Sequence, residues 1–448
     1  MNDFTSGGIS KQIIVFAVPM LIGSLFQQLY NIVDAVVVGR FLGGGALAAV
    51  GISMNAFGFL TAVLIGLTTG ASVIISQFFG AKQYDNLERA VSTSILFLIG
   101  FSIIITALGI IFTPALLHLL DTPADIFADA QTYMRIQMAG LTFPIFFNMY
   151  TAYLRAIGNS RSPLYILIFS TTLNAVLNLF VVVVLGFGIA AVSVTTVISQ
   201  AAAATLCFLY TRKKVPLLQV NKFTFDNKLV VAILKYGTPA ALQLSFVSLA
   251  SLVITRLINS FGTAAIASII AAGRIDQMAI LPVTTLSLAL ATFVAQNMGA
   301  GLEERARKGL KIVMLYMVLL AVCISVIIII FGPWLISAFI DPSDVNINEI
   351  FETETNYLSI MSTFYFLFSF LFAFNGFFRG AGDAVIAMIF PVCSLTIRTV
   401  SAYLLVYLAG MGPEALAWSI PIGWGATSIA SFVYYKKRLW HGKIVVYE

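Results

Sequence analysis

Charge is scarce in this sequence. Asp, Glu, Lys and Arg make up only 10% of its 448 residues, where a soluble globular chain carries about 25%. With a mean hydropathy of +0.98 and 37 Phe, that deficit excludes a water-soluble globule and defines an integral membrane protein. Cysteine is nearly absent too. Cys207, Cys323 and Cys393 all fall in apolar stretches, and His118 and His441 lie outside them, which excludes a disulfide framework or a zinc cluster. No G-x-x-x-x-G-K-S/T loop is present, so no ATPase is built into the chain. The segment GFGIAA at 186–191 fits a loose G-x-G-x-x-A, but it joins two apolar runs and reads as a turn. No accessible nucleophile with a neighbouring base stands out, so the chain does not read as an enzyme.

What the sequence has instead is long apolar runs. They recur along its whole length, which favours helical spans over the short alternating segments of an outer-membrane barrel. Grouping them between Gly, Pro and charge clusters predicts twelve spans, at 12–39, 47–79, 90–117, 131–155, 162–185, 189–211, 230–260, 264–296, 308–339, 356–379, 384–408 and 413–435. MNDFTSGGISKQ has no basic n-region and no cleavage site follows, so an uncleaved first span is expected.

Charge placement then orients the chain. Nineteen of the 25 Lys and Arg lie on one side, among them Lys11, Lys82, Arg155, the run Arg212 to Lys214, Arg305, Lys311 and Lys436 to Arg438. The opposite loops are acidic, with Asp121, Asp125 and Asp129 in one and Asp341, Asp344, Glu349, Glu352 and Glu354 in another. The retained side of a membrane protein is the basic one. Both termini are therefore expected to be cytoplasmic in a multi-pass cell-membrane protein. The net charge of +6 is accounted for as a topology signal, and no nucleic-acid partner is implied.

The two acidic loops hold equivalent places, and an internal repeat explains why. AVPMLIGS with Pro19 matches YGTPAALQ with Pro239 at an offset of 220; SQFFGAK (76–82) matches AQNMGAG (295–301) at 219; LRAIGN (154–159) matches FRGAGD (378–383) and LGFGIAAV (185–192) matches AGMGPEAL (409–416), both at 224. Each half holds an even number of spans, so the halves keep one orientation and are expected to be related by an axis along the membrane normal. The expected fold is thus all-α, with twelve transmembrane helices in two six-helix lobes: 1–211 as N-lobe, 212–229 as cytoplasmic linker, 230–435 as C-lobe and 436–448 as tail.

Ionisable groups inside spans cost roughly 2.5–3.5 kcal/mol each at the membrane centre and mark pathways or relays. Of the acidic residues, only Asp34 and Asp276 fall well inside a span. Gln27, Asn31 and Asp34 are spaced i, i+4, i+7 on span 1, with Tyr30 four residues before Asp34, so they form one stripe expected to face the protein interior or a water-filled cavity. Asn174 and Asn178 on span 5 are again i, i+4 and could approach that stripe, or serve as interhelical glue. The second lobe differs: Asp34 aligns with Ile254, Asn174 with Arg398, and span 8 carries Arg274, Asp276 and Gln277. Arg274 and Asp276, two apart, do not share a helix face. Arg40, Arg135 and Arg256 lie near outer span ends, where long side chains snorkel.

Taken together, Pro19, Asp34 within VDAVVVGRFLGGGALAAV, SQFFGAK and AQNMGAG after spans 2 and 8, and LRAIGNSRSP and FRGAGDA after spans 4 and 10 resemble the multidrug and toxic compound extrusion (MATE) transporters over the full chain. The resemblance implies two six-helix bundles around a central cavity, exporting cationic or amphipathic compounds against inward Na⁺ or H⁺. It also implies that Asp34 is the first-span carboxylate that binds the cation or proton. Where some relatives carry a fifth-span carboxylate this chain has Asn178, and the stretches that bear acidic residues on spans 7 and 10 in other branches read LQLSFVSLAS and FSFLFAFNG. The expected coupling residues are Asp34, Asn174 and Asn178, with Asp34 also the expected Na⁺ ligand. Gln27, Tyr30, Asn31, Arg274, Asp276, Gln277 and Arg398 are expected to line the substrate cavity. No cofactor beyond the coupling ion, H⁺ or Na⁺, is expected, and the partners are small organic cations and the lipid bilayer, with the chain a monomer. The alternative is a flippase for a lipid-linked anionic precursor, with Arg274 and Arg398 receiving phosphate. A channel is disfavoured by the two-lobe repeat and the lack of a filter-like loop.

Overall fold

In the computed structural model the chain is helical throughout, with no strand among the described residues, which are 3–220, 222–337 and 347–442. Asp341 and Asp344 of the second acidic loop and Lys443 of the tail lie outside them. In chain order the helices are α1 (Ile9–Phe41), α2 (Gly44–Gly80), α3 (Tyr84–Leu119), α4 (Ala124–Ala139), α5 (Thr142–Ala156), α6 (Arg161–Leu179), α7 (Ile189–Lys214), α8 (Asn227–Asn259), α9 (Thr263–Gly299), α10 (Glu303–Ser337), α11 (Ile347–Thr363), α12 (Tyr365–Gly380), α13 (Ala384–Tyr407) and α14 (Glu414–Lys436). Ten unbroken helices among the described residues are long and apolar enough to span a bilayer, and the pair Glu354–Thr363 and Tyr365–Gly380, bent by 50°, adds an eleventh.

The remaining span, the fourth, differs from the unbroken helix its sequence predicts. It is divided into α4 and α5, and α4 carries Asp125, Asp129 and Arg135. Gly140 caps α4, and Gly140 and Leu141 form the joint. Span 10 breaks between α11 and α12 at Phe364, 224 residues after Gly140 and thus at the repeat-equivalent place. Sequence periodicity reads through such joints because apolar composition continues on both sides. Span 5 also departs from a plain α-helix: beyond α6 it closes in a π turn, Phe180–Val184. The segment GFGIAA is a turn, and Gly186 (φ 67°) and its repeat mate Gly410 (φ 66°) share the same left-handed backbone, which glycine adopts without a Cβ penalty.

Two compact units form. One contains Ile14–Ala241 with Phe4, and the other Thr5–Ile13 with the residues from Leu242 on. The division therefore falls inside α8 and not in the 212–229 linker. Glycines explain how the first part of α8 joins the first unit. A Cβ on Gly70 would collide with the backbone of Gly237, and one on Gly66 with that of Ala241, so the two helices touch backbone to backbone. In the second unit the N-terminal segment is held by Arg305, whose guanidinium donates to the Ser6 carbonyl (2.9 Å), the Gly7 carbonyl (2.8 Å) and Gln12 Oε1 (3.1 Å).

Each unit has its own apolar core. In the first, Val37, Val38, Ala49, Met134, Leu141 and Val192 pack together with Tyr133. In the second, Ile254, Leu257, Ile275, Leu358 and Ile420 surround Tyr357 and Tyr365. Ile254, the repeat mate of Asp34, is an ordinary member of that core.

Candidate functional site

The first-unit site is built from four helices, α1, α4, α6 and α7, that each supply polar side chains to an apolar interior. Asp34 on α1 is 6% exposed. On α6, Asn174 and Asn178 lie one turn apart and are fully enclosed, at 1% and 0% exposed. Asn178 Nδ2 donates to Asp34 Oδ1 at 2.6 Å and to Asn174 Oδ1 at 3.1 Å. Asn174 Nδ2 in turn donates to Thr196 Oγ1 at 3.2 Å, and Thr195 Oγ1 donates to Asn178 Oδ1. The Tyr30 hydroxyl lies against both Asp34 and Thr196, and Tyr133 of α4 stands beside Asp34. The result is one continuous chain of hydrogen bonds in which every amide has a partner. That matters because an unpaired polar group in a dry interior costs about 1–3 kcal/mol.

The local sequence dictates this convergence. The turn at GFGIAA folds α6 and α7 back on each other, which brings Thr195 to Asn178 across 17 residues. The π turn begins two residues after Asn178; π turns recur at functional sites because they re-aim the residues beside them. Chemically the cluster offers a single carboxylate met by N–H and O–H donors. A Na⁺ travelling as substrate would need oxygens, and Asp34, the two threonine hydroxyls, Tyr30 and the amide oxygens of Asn174 and Asn178 are the available set. Among the described residues no group of three or more His, Cys, Asp or Glu could hold a metal.

The span-1 stripe divides on folding. Asp34 and Tyr30 enter the cluster, whereas Gln27 and Asn31 are exposed, Asn31 meeting only Gln28 at 3.4 Å. Thr195, Thr196 and Tyr133 belong to the site and escape a search for charge. Their signals are weak: two adjacent threonines in an apolar run, and a tyrosine whose repeat mate at offset 224 is Tyr357.

The second unit uses the equivalent place differently. Tyr365 Oη donates to Asp276 Oδ1 at 2.9 Å. Arg398 of α13 is the positive charge facing that carboxylate, and it also meets the Tyr357 hydroxyl. Trp424 packs 6.2 Å from the Tyr365 ring. Arg274 and Gln277 are exposed on the other side of α9, as their spacing from Asp276 requires. A carboxylate thus faces Arg398, whereas Arg274 is exposed.

The fold is that of a helical membrane protein of two repeated units, with the Asp34 carboxylate enclosed in a polar cluster. The MatE family matches residues 19–180 and again 239–404, one copy beginning at Pro19 and the other at Pro239. The chain belongs to this family of multidrug efflux transporters, which are transport proteins and not enzymes. It is 28% identical over 441 residues to the probable multidrug resistance protein YpnP of Bacillus subtilis, covering 98% of this chain and 97% of that one. It is 30% identical over 335 residues to the probable multidrug resistance protein YoeA of the same organism, covering 73% and 72%. Among solved structures, a MATE protein crystallised in a bent conformation superposes with a TM-score of 0.90 at 22% identity, over 97% of this chain and 96% of that chain. This places the fold as the twelve-span, two-lobe MATE architecture.

Proposed function

We propose that the protein is a secondary antiporter that exports organic cations and amphipathic compounds in exchange for H⁺ or Na⁺, with Asp34 as the coupling group. The observation that carries this reading is the enclosed Asn178 to Asp34 contact at 2.6 Å, in a helix bundle whose relatives are described as multidrug resistance and multidrug export proteins. A carboxylate kept in such surroundings has one evident use, to exist in two charge states. Each state favours a different arrangement of the helices around it, and the ion drives the cycle by the difference in its affinity for those arrangements. Tyr30, Asn174 and the two threonines hold the carboxylate in place while its charge changes.

The concentration of Lys and Arg on one set of loops supports cytoplasmic termini, with export running from the Lys- and Arg-rich side to the acidic one. Reconstituted protein given a Na⁺ gradient at fixed pH, then a pH gradient without Na⁺, separates the two ions by which of them drives efflux of a lipophilic dye cation. Efflux driven by neither gradient overturns the antiport reading.

A further inference from the structure

The repeat gives each unit the same groove, and among the described residues the linker lines only the first. In the first unit a cavity of about 710 Å³ is bounded by α3, α5 and α7, with Phe146, Phe208 and Arg212 on its walls. In the second a groove of about 560 Å³ is bounded by α10, α12 and α14, and its walls include Phe370, Phe432 and Lys436. Those three are the mates of Phe146, Phe208 and Arg212 at offset 224.

In the first unit the linker forms one wall of the cavity. Leu218 and Phe223 form part of its wall, and Leu218 is buried. The linker is pinned by Ser92, whose hydroxyl accepts from the Thr224 N–H at 2.7 Å and lies 2.9 Å from the Thr224 carbonyl. At offset 219 the second unit has Lys311 where the first has Ser92, and Arg307 where it has Glu88. A peptide anchor has been exchanged for positive charge. Among the described residues, no segment following α14 lines the second groove. Its mouth is ringed by Arg307, Lys311 and Lys436, with Arg307 braced on Tyr435 Oη at 3.2 Å, and its wall is apolar down to Ile429 and Gly425.

We propose that this groove binds an anionic phospholipid, with an acyl chain along Phe370, Ile429 and Phe432 and the headgroup phosphate on Lys311, Arg307 and Lys436. The shape takes a chain and the charge takes an anion, and Ile429 and Phe432 on the wall are exposed. Basic clusters at one end of membrane helices attract anionic lipid by just this pairing, each charge contributing on the order of a fivefold preference.

The test uses the full chain reconstituted in vesicles of equal phosphatidylglycerol and phosphatidylcholine, extracted gently and examined by native mass spectrometry for retained lipid. Wild type is expected to retain phosphatidylglycerol over phosphatidylcholine. Lys311→Ser, which writes in the first-unit residue, lowers that preference about fivefold, and Arg307→Gln with Lys311→Ser and Lys436→Gln removes it. Gly425→Leu, whose added Cβ meets only the end of Leu367 at 3.6 Å, fills the groove and releases both lipids while the protein stays monodisperse in detergent. Equal retention of the two lipids by wild type, or undiminished phosphatidylglycerol in the triple variant, overturns the proposal. Phosphatidylglycerol retained only after removal of residues 443–448 also overturns it, by assigning the groove to the chain's own tail.

Discussion

Asn178 and Asp34, 144 residues apart in sequence, share a 2.6 Å hydrogen bond inside the first unit. The amide that donates it is itself held by Thr195 and Asn174, so the carboxylate's position is set by α6 and α7 as much as by its own helix.

Asp34→Asn separates charge from shape. The amide oxygen still accepts from Asn178, so the melting temperature in detergent should change little, by the equivalent of about 1 kcal/mol or less. Gradient-driven dye efflux should fall to the level of empty vesicles. Full coupled export by this variant would remove Asp34 from the mechanism.

Asn178→Ala acts on both counts. It takes the amide N–H from Asp34, which keeps the Tyr30 hydroxyl, and leaves Thr195 its bond to the Val192 carbonyl; a hydrogen bond to a charged group contributes about 1.5–3 kcal/mol. A lower melting temperature together with weakened efflux is expected; an unchanged melting curve would show that the hydrogen-bond chain does not hold α1 to α6.

In the second unit, Arg398→Met leaves Asp276 with the Tyr365 hydroxyl but without its facing cation. Both groups are half-buried, so removing one partner should cost less than the about 3–5 kcal/mol of a fully buried pair, whereas replacing both partners is often neutral. Asp276→Asn combined with Arg398→Met should therefore melt higher than Arg398→Met alone. If the double variant melts lower than either single one, the two residues are not a pair.

Gly70→Leu tests the close approach of α2 and α8. Its Cβ would strike the Gly237 backbone, and overpacking of this kind costs about 1–3 kcal/mol or more where neither backbone can yield. The expected outcome is a shift to aggregate on size-exclusion chromatography. Gly100→Leu, at a position where an added Cβ meets nothing within 4 Å, is the control and should elute as wild type.

Orientation is checked by labelling. In a chain with Cys207, Cys323 and Cys393 replaced, a cysteine at Asp125 should react with an impermeant maleimide added to intact cells, and one at Lys213 should react only after the cells are opened. The reverse pattern would invert the direction of export.

Much of this was legible in sequence because the bilayer restricts what a chain can do. Apolar length located each crossing, and the offsets of 219 to 224 paired the halves before any contact was known. Asp34, Asn174 and Asn178 stood out because a carboxylate and two amides are costly among apolar residues and need each other. Thr195 and Thr196 did not stand out, since threonine satisfies itself by bonding the preceding helical turn, as both do here to Val192. The joints at Gly140 and Phe364 were hidden for another reason: hydrophobicity reports depth in the membrane, and it does not report helix direction. Gln27 and Asn31 shared a stripe with Asp34 but not its burial, because periodicity gives a face and leaves the width of the contact open.

The glycine contact between α2 and the start of α8 has a consequence for how the protein is made. The first unit reaches to Ala241, thirty residues beyond the end of its sixth span at 211. A ribosome that has released six spans has therefore not yet delivered the piece that covers Gly66 and Gly70. The unit can finish only after the linker and half of the next span have emerged, so its assembly waits on the synthesis of the half that follows.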